Sequence, residues 1–342
     1  MLSRVADSIF WMARYIERVE NLARFIDVTQ QFILDQPIST ESPWRPLVQV
    51  TGDEKWFEEH YDGYQSTNVI RFLTFDRDYP HSIISALTAA RENARGIREI
   101  ISSEVWEQLN DLYHQVKHVE GTWHMNGLDE DLFQTIRSQC YGFHGLLDST
   151  MSHGVGWHFA NLGRLLERAD KTSRLLDVKY FTLLPNAHDI GTTLDDLQWS
   201  AVLKSVSGLE MYRKQFQLIS LPRVIQFLVL DETFPRSIRY CLEEAESSLR
   251  AISNGGRRRR DNEVRNPPEQ ALADLNRQLA AMDPQQLIRD GLHEFVDRLQ
   301  SQLNDLGSRL YEQFIAMRSL EDLPSDSQAT TLSPSFQSQS QS

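Results

Sequence analysis

The chain has 342 residues, with 35 Lys and Arg against 48 Asp and Glu, which leaves a formal charge of −13 at pH 7. Apolar residues make up 40% and charged residues 24%, the balance of a globular chain with a sizeable core and not of a disordered one. The acidic total argues against sequence-independent nucleic-acid binding, two cysteines cannot build a disulfide framework or a four-cysteine zinc site, and no run of 18 apolar residues offers a membrane span.

The first 20 residues carry acids and lack a clean apolar run, so no secretory leader is expected. Together with the sparse cysteines, this points to a reducing, cytoplasmic setting. From Ile9 the apolar positions run Ile9, Met12, Ile16, Val19, Ala23, Ile26, at spacings of three and four. That is one apolar seam on a helix of ~30 residues, which spans ~45 Å. Arg14, Glu17, Arg18, Asn21 and Arg24 fall on the side away from the seam.

Further on, Asp76 and Pro80 sit in Phe72-Leu-Thr-Phe-Asp-Arg-Asp-Tyr-Pro-His-Ser-Ile83, with helix expected over 80–101 and Pro80 in its first turn. Asp76 suits holding a turn or capping a helix. Arg91, Glu92 and Arg95 form a second polar cluster, in which Glu92 and Arg95 are one turn apart and Arg91 and Arg95 are placed to meet Glu17. Helices are expected over 104–119 and 128–150. Asp111, His114 and His118 share one face of the first, but no second Glu-x-x-His helix accompanies them, so no metal site is expected.

The pattern then repeats. Residues 164–178 match 14–28 at an offset of 150, with Arg14/Arg164, Glu17/Glu167, Arg18/Arg168, Arg24/Arg174, Asp27/Asp177 and Val28/Val178 identical. Residues 227–238 match 72–83 at an offset of 155, including Asp76/Asp231, Pro80/Pro235 and Ser82/Ser237, and Trp44 aligns with Trp199. A tandem duplication is expected, 1–150 and 151–320, with further helices over 197–212, 235–253, 270–281 and 284–318. The fold class is all-α: a helical bundle built from two pseudo-symmetric copies of one unit, with antiparallel neighbours. A basic loop at 254–268 carries Arg257–Arg260, and 321–342 reads as a disordered Ser/Gln-rich tail.

Between the copies the apolar positions drift (Ile16/Leu166, Phe25/Leu175) while the charges persist. Three explanations stand open. The charges form a buried Arg–carboxylate network that fixes helix register. Alternatively, Arg14, Arg18, Arg24, Arg164, Arg168, Asp170 and Arg174 line a cleft for an anionic ligand or peptide, with Glu17 or Glu167 orienting them or acting as acid or base. The third is a solvated face. No G-x-S-x-G elbow, reactive-cysteine motif or phosphate-binding glycine loop is present, so no cofactor or nucleotide site is expected in the chain itself.

Residues 3–28, the stretch Thr150-Met151 to Gly156-Trp157, Leu162-Gly163-Arg164, Leu166 to Asp170, and Ala90 to Arg95 resemble the Alpha-E domain family, also called domain of unknown function 403. The resemblance covers about 1–318. Lys171 departs from it, since a hydrophobic or small residue is common there. It implies a bacterial all-α protein defined by Glu17, Arg18, Glu167 and Arg168. It also implies work beside, or fused to, a circularly permuted ATP-grasp protein, often with a transglutaminase-like peptidase, in ATP-dependent amide or peptide ligation. On that basis the chain is an accessory or binding subunit of such a ligase. A free-standing enzyme using the Glu/Arg motif on a peptide or acyl substrate, and a purely structural scaffold, are the alternatives.

Overall fold

A computed structural model describes residues 1–34, 43–126, 131–182, 193–255 and 265–316. The tail at 321–342 and most of the basic loop, including Arg257–Arg260, lie outside the described residues. The elements run α1 (Ser3–Leu34), α2 (Arg45–Thr51), α3 (Glu54–His60), α4 (Ser66–Thr74), α5 (Ile83–Arg95), α6 (Ser103–Asn126), α7 (Leu132–Thr150) and α8 (Val155–Thr182). There follow α9 (Thr193–Ser205), α10 (Leu209–Gln215), α11 (Leu221–Ile225), a π-helical stretch (Gln226–Leu230), α12 (Ile238–Ser253), α13 (Pro267–Ala280), α14 (Pro284–Asp290) and α15 (Leu292–Phe314). No strand occurs among the described residues.

The seam of α1 is buried as its spacing requires, with Ile9, Met12, Ile16, Val19, Ala23 and Ile26 all fully enclosed. The other face of α1 is buried as well. Glu17, Glu20 and Arg24 are wholly inaccessible, because α5 and α7 cover one side of the helix and α8 lies along the other. A side-chain pattern read on one helix cannot show that its polar face meets a second helix carrying the opposite charges.

α1 and α8 form the centre. Arg14 pairs with Glu167 and Glu17 with Arg168, while Phe25 and Leu175 line a shared small cavity further along. The two helices therefore run in the same direction, not antiparallel. The chain between them, α2 to α7, returns to the starting end before α8 begins. Their approach is close: a Cβ on Gly163 would collide with the Phe10 carbonyl oxygen, so only glycine fits the crossing. Around this pair, α1 packs on α5 and α7, with α6 joining those two. In the same order α8 packs on α12 and α15, with α13 joining those two. One continuous core extends from Ala6 in α1 to Leu310 in α15.

Several expected boundaries shift for identifiable reasons. Pro80 and Pro235 lie before their helices, not in the first turn. Ser82 and Ser237 are the N-caps, accepting from the backbone N–H of Ser85 (3.2 Å) and Tyr240 (3.0 Å). The turns that carry the prolines are held as expected by the aspartates. Asp76 Oδ1 accepts from the backbone of Asp78 and Tyr79, and Asp231 Oδ1 from that of Thr233 and Phe234. The helix expected over 197–212 breaks at Ser207, which takes a left-handed φ of 51°. That over 284–318 breaks at Gly291, whose φ of 99° suits glycine.

Candidate functional site

The charged residues of α1 and α8 sort into two clusters with reciprocal wiring. In the inner cluster, Arg168 grips the Glu17 carboxylate with both arms of its fork, Nε to Oε1 at 2.8 Å and Nη2 to Oε2 at 2.9 Å. Arg236 adds Nη1 to Glu17 Oε1 at 3.1 Å and Nη2 to Glu20 Oε2 at 2.9 Å. Asn21 Nδ2 donates to Glu17 Oε1 at 3.1 Å, His144 Nε2 stands 3.4 Å from its Oε2, and Arg24 pairs with Glu20. Burial alone would raise the Glu17 carboxyl, but Arg168 and Arg236 outweigh it and hold it well below the ordinary range. His144 is pushed down by burial, which keeps its imidazole neutral near pH 7.

The outer cluster is built on Glu167. Arg18 supplies the fork here, Nε to Oε1 at 2.7 Å and Nη2 to Oε2 at 3.1 Å, and Arg14 Nε adds a bond to Oε2 at 2.9 Å. Lys171 Nζ lies 3.6 Å from Glu167 and 3.1 Å from Asp170, and Arg174 Nε donates to both Asp170 oxygens. Burial again opposes ionisation of Glu167, and Arg18 and Arg14 again prevail, so its pKa is held well below the ordinary range. Both Glu17 and Glu167 are 0% exposed. A carboxylate so placed stays ionised near neutral pH and accepts the guanidinium hydrogen bonds that surround it.

The clusters differ in access. The inner one is sealed by α7 and the Pro235–Arg236 turn, whose carbonyls accept from Arg168 Nη1 and Thr172 Oγ1. The outer one opens into a cavity of about 320 Å³ between α1, α8 and the α2–α3 turn. Arg14, Arg18, Lys171 and Arg174 line it from the helices, and Asp53 and His81 from the turns. Four cations face three carboxylates there, Glu167, Asp170 and Asp53, so one positive charge is left unbalanced. Nη1 of Arg14 and Nη2 of Arg174 make no hydrogen bond to the described residues and remain as donors. The cavity can hold one small anion, with two guanidinium donors and the Lys171 ammonium in reach.

Of the residues singled out by sequence, Arg14, Arg18, Glu167, Asp170 and Arg174 meet at this cavity. Glu17, Arg24 and Arg168 belong to the sealed cluster. Arg164 sits at its edge, bonded to Asn161 at 2.5 Å and 3.5 Å from Asp148. Arg91 does not meet Glu17. Its Nε donates to Asn110 at 2.7 Å and its guanidinium lies 5.0 Å from the Tyr113 ring, on the outer side of α5. Glu92 and Arg95 pair with each other at 2.7 Å on the same surface. Among the described residues, no group of three His, Cys, Asp or Glu could hold a metal ion.

Sequence reasoning missed Arg236, Glu20 and His81. The signal for two of them was present. At the 155 offset Arg236 aligns with His81, the one polar change beside the shared Pro and Ser. In the structure His81 Nδ1 bonds Arg18 Nη1 at 2.9 Å, just as Arg236 reaches Glu17. The turn residue after the proline contacts the Glu/Arg motif of α1 in both halves.

A family model described as "a predicted alpha-helical domain with a conserved ER motif", Alpha-E, matches residues 1–315. The chain is 23% identical over 335 residues to the uncharacterized protein Mb2597 of Mycobacterium bovis, covering 90% of this chain and 36% of that protein. The same identity and shares hold for the uncharacterized proteins MT2643 and Rv2567 of Mycobacterium tuberculosis. The chain thus spans about a third of the length of the curated relatives it matches. No solved structure matches it.

Proposed function

The chain belongs to the Alpha-E family, and from that membership we propose that it is a binding subunit that works with a circularly permuted ATP-grasp protein in ATP-dependent amide or peptide bond formation. Its task in this reading is to hold the carboxylate-bearing reactant in the cavity above Glu167. The observation that carries the reading is the unbalanced positive charge there, with one guanidinium nitrogen of Arg14 and one of Arg174 making no hydrogen bond to the described residues. An amide ligase must position a carboxylate, and a guanidinium fork is the side chain best shaped to hold one. Phosphate chemistry would belong to the partner.

The inner cluster then has a structural task. It locks α1 to α8 and the Pro235–Arg236 turn, so that the outer cluster keeps its geometry. Two tandem copies, 1–150 and 151–320, explain why each helix lends its arginines to the other's glutamate. The α1, α5, α6, α7 group and the α8, α12, α13, α15 group, packed in the same order, support that division. The relatives' greater length leaves room in those proteins for a fused partner. A cytoplasmic setting fits a partner that consumes ATP. Recovery of the tagged protein from its native cell, followed by mass spectrometry, tests the association. Co-purification of a circularly permuted ATP-grasp protein is expected, with a transglutaminase-like peptidase as a further candidate. Recovery of the chain alone under conditions that preserve weak complexes would contradict the proposal.

A further inference from the structure

The cationic cavity does not end at its charged residues. Arg14, Asp170 and Asn304 also line a second, larger cavity of about 530 Å³ that continues along α1 and α8 toward α15. Its inner wall is apolar, formed by Phe10, Trp11, Phe159 and Leu310, and its exposed edge is polar, with Ser308, Tyr311 and the Glu312 carboxylate. The guanidinium of Arg14 lies 4.8 Å from the Trp11 ring, so the residue at the junction is fixed by a cation–π contact on one side and by Glu167 on the other. Both volumes fall within the range of sites for small ligands.

Three features at the junction have different chemistry. The charged end accepts a single negative charge. The middle offers the Asp170 carboxylate, an acceptor, and the Asn304 amide, both donor and acceptor. The far end accepts an aromatic or branched apolar body. Burial would raise the Asp170 carboxyl, but Lys171 and Arg174 lower it, so it stays ionised and accepts only. A carboxylate on an α-carbon that also bears an apolar side chain and an acylated N–H, the N–H to meet Asp170 and the acyl C=O to meet Asn304, is the pattern of a peptide C-terminus. A simple inorganic anion would leave the apolar section without an occupant, and an apolar molecule without an acid would leave the charge unbalanced.

We propose that the joined groove binds the C-terminal end of a peptide whose last residues are apolar, with the terminal carboxylate at Arg14, Lys171 and Arg174 and the side chain between Trp11 and α15. This rests on the carboxylate reading of the cationic cavity and adds the class of ligand. It also assigns Trp11 and Gly307 as residues that set specificity. Gly307 lines the apolar section, and a Cβ built there meets nothing within 4 Å, so a side chain added at this position starts into open space.

Isothermal titration of the full chain with N-acetylglycine, N-acetylphenylalanine and N-acetylphenylalanine amide tests this, in the wild type and in Gly307→Phe. We expect N-acetylphenylalanine to bind at least tenfold more tightly than N-acetylglycine, and the amide to bind at least tenfold more weakly than its acid. Gly307→Phe should erase the advantage of phenylalanine over glycine, with an unaltered melting temperature as the check on folding, and a variant that keeps the full advantage would overturn the placement of the side chain beside α15. Equal binding of the two acids to the wild type would overturn the peptide proposal and leave the carboxylate reading standing. Equal binding of acid and amide, or no binding of either acid, would overturn both.

Discussion

Removing one negative charge from each cluster should separate a sealed clamp from an open one. Glu17→Gln deletes the carboxylate that takes two bonds from Arg168 and one from Arg236. The amide that replaces it points a donor at a guanidinium. Arg24, Arg168 and Arg236 are then left with Glu20 as their buried counter-charge. Breaking a buried pair in this way costs about 3–5 kcal/mol. Glu167→Gln removes a similar set of bonds, but Arg14 is 21% exposed and the cavity admits solvent to Arg14 and Lys171. The loss there reduces to hydrogen bonds from charged donors, about 1.5–3 kcal/mol. At about 2 °C per kcal/mol for a chain of this size, Glu17→Gln should lower the melting temperature by about 6–10 °C and Glu167→Gln by about 3–6 °C. Urea unfolding at pH 7 gives the free energies, and Arg168→Gln added to Glu17→Gln should cost much less than it does alone. A Glu167→Gln variant as unstable as Glu17→Gln, or a Glu17→Gln change below about 1 kcal/mol, would refute the division into sealed and open clusters.

Gly163→Ala should destabilise by about 1–3 kcal/mol in urea unfolding, because its Cβ meets the Phe10 carbonyl and the two central helices must separate. Gly145→Ala on α7, where a Cβ meets nothing within 4 Å, should stabilise by about 0.5–1 kcal/mol, and the reverse order would contradict the described crossing. Stability should fall with acid in two stages. His144 and His81 have depressed folded pKa values, so the unfolded chain takes their protons first and stability declines once pH drops below about 6.5. Glu17, Glu167 and Asp170 are depressed too, and their contribution, complete above the unfolded carboxylate pKa, is lost as pH falls below about 4.5. A pH series of urea midpoints that stayed flat from 7 to 4 would contradict both stages. Cys140 and Cys241 are fully buried, and burial pushes the Cys241 thiol up to about 12, so neither should react with a thiol reagent until the chain unfolds.

How much of this was legible beforehand depends on where the deciding contact lies. The seam of α1 and its echo in α8 are periodic within one helix, and the structure buries both. Asp76 and Asp231 act within three residues of themselves, so their turn-holding role could be read locally. Arg91 shows the limit. Its partner Asn110 is on α6, and nothing in the α5 pattern distinguishes that helix from α1 as its neighbour. The parallel run of α1 and α8 was hidden for the same reason, since a heptad-like spacing is indifferent to direction. Gly291 and Ser207 interrupt apolar patterns that continue on both sides, and only the backbone conformation reveals the break. The separation of an open cluster from a sealed one comes from the differing turns, His81 in one half and Arg236 in the other, which the six matched positions beside them obscured.

The proposed function requires that the cavity above Glu167 take one carboxylate. Titration of N-acetylglycine into the wild type and into Arg174→Gln, at low and raised salt, tests it most directly. Saturable binding at one site in the wild type, weakened by salt and lost in Arg174→Gln, is the predicted result. Binding that is absent, or that is the same in both proteins, would contradict it.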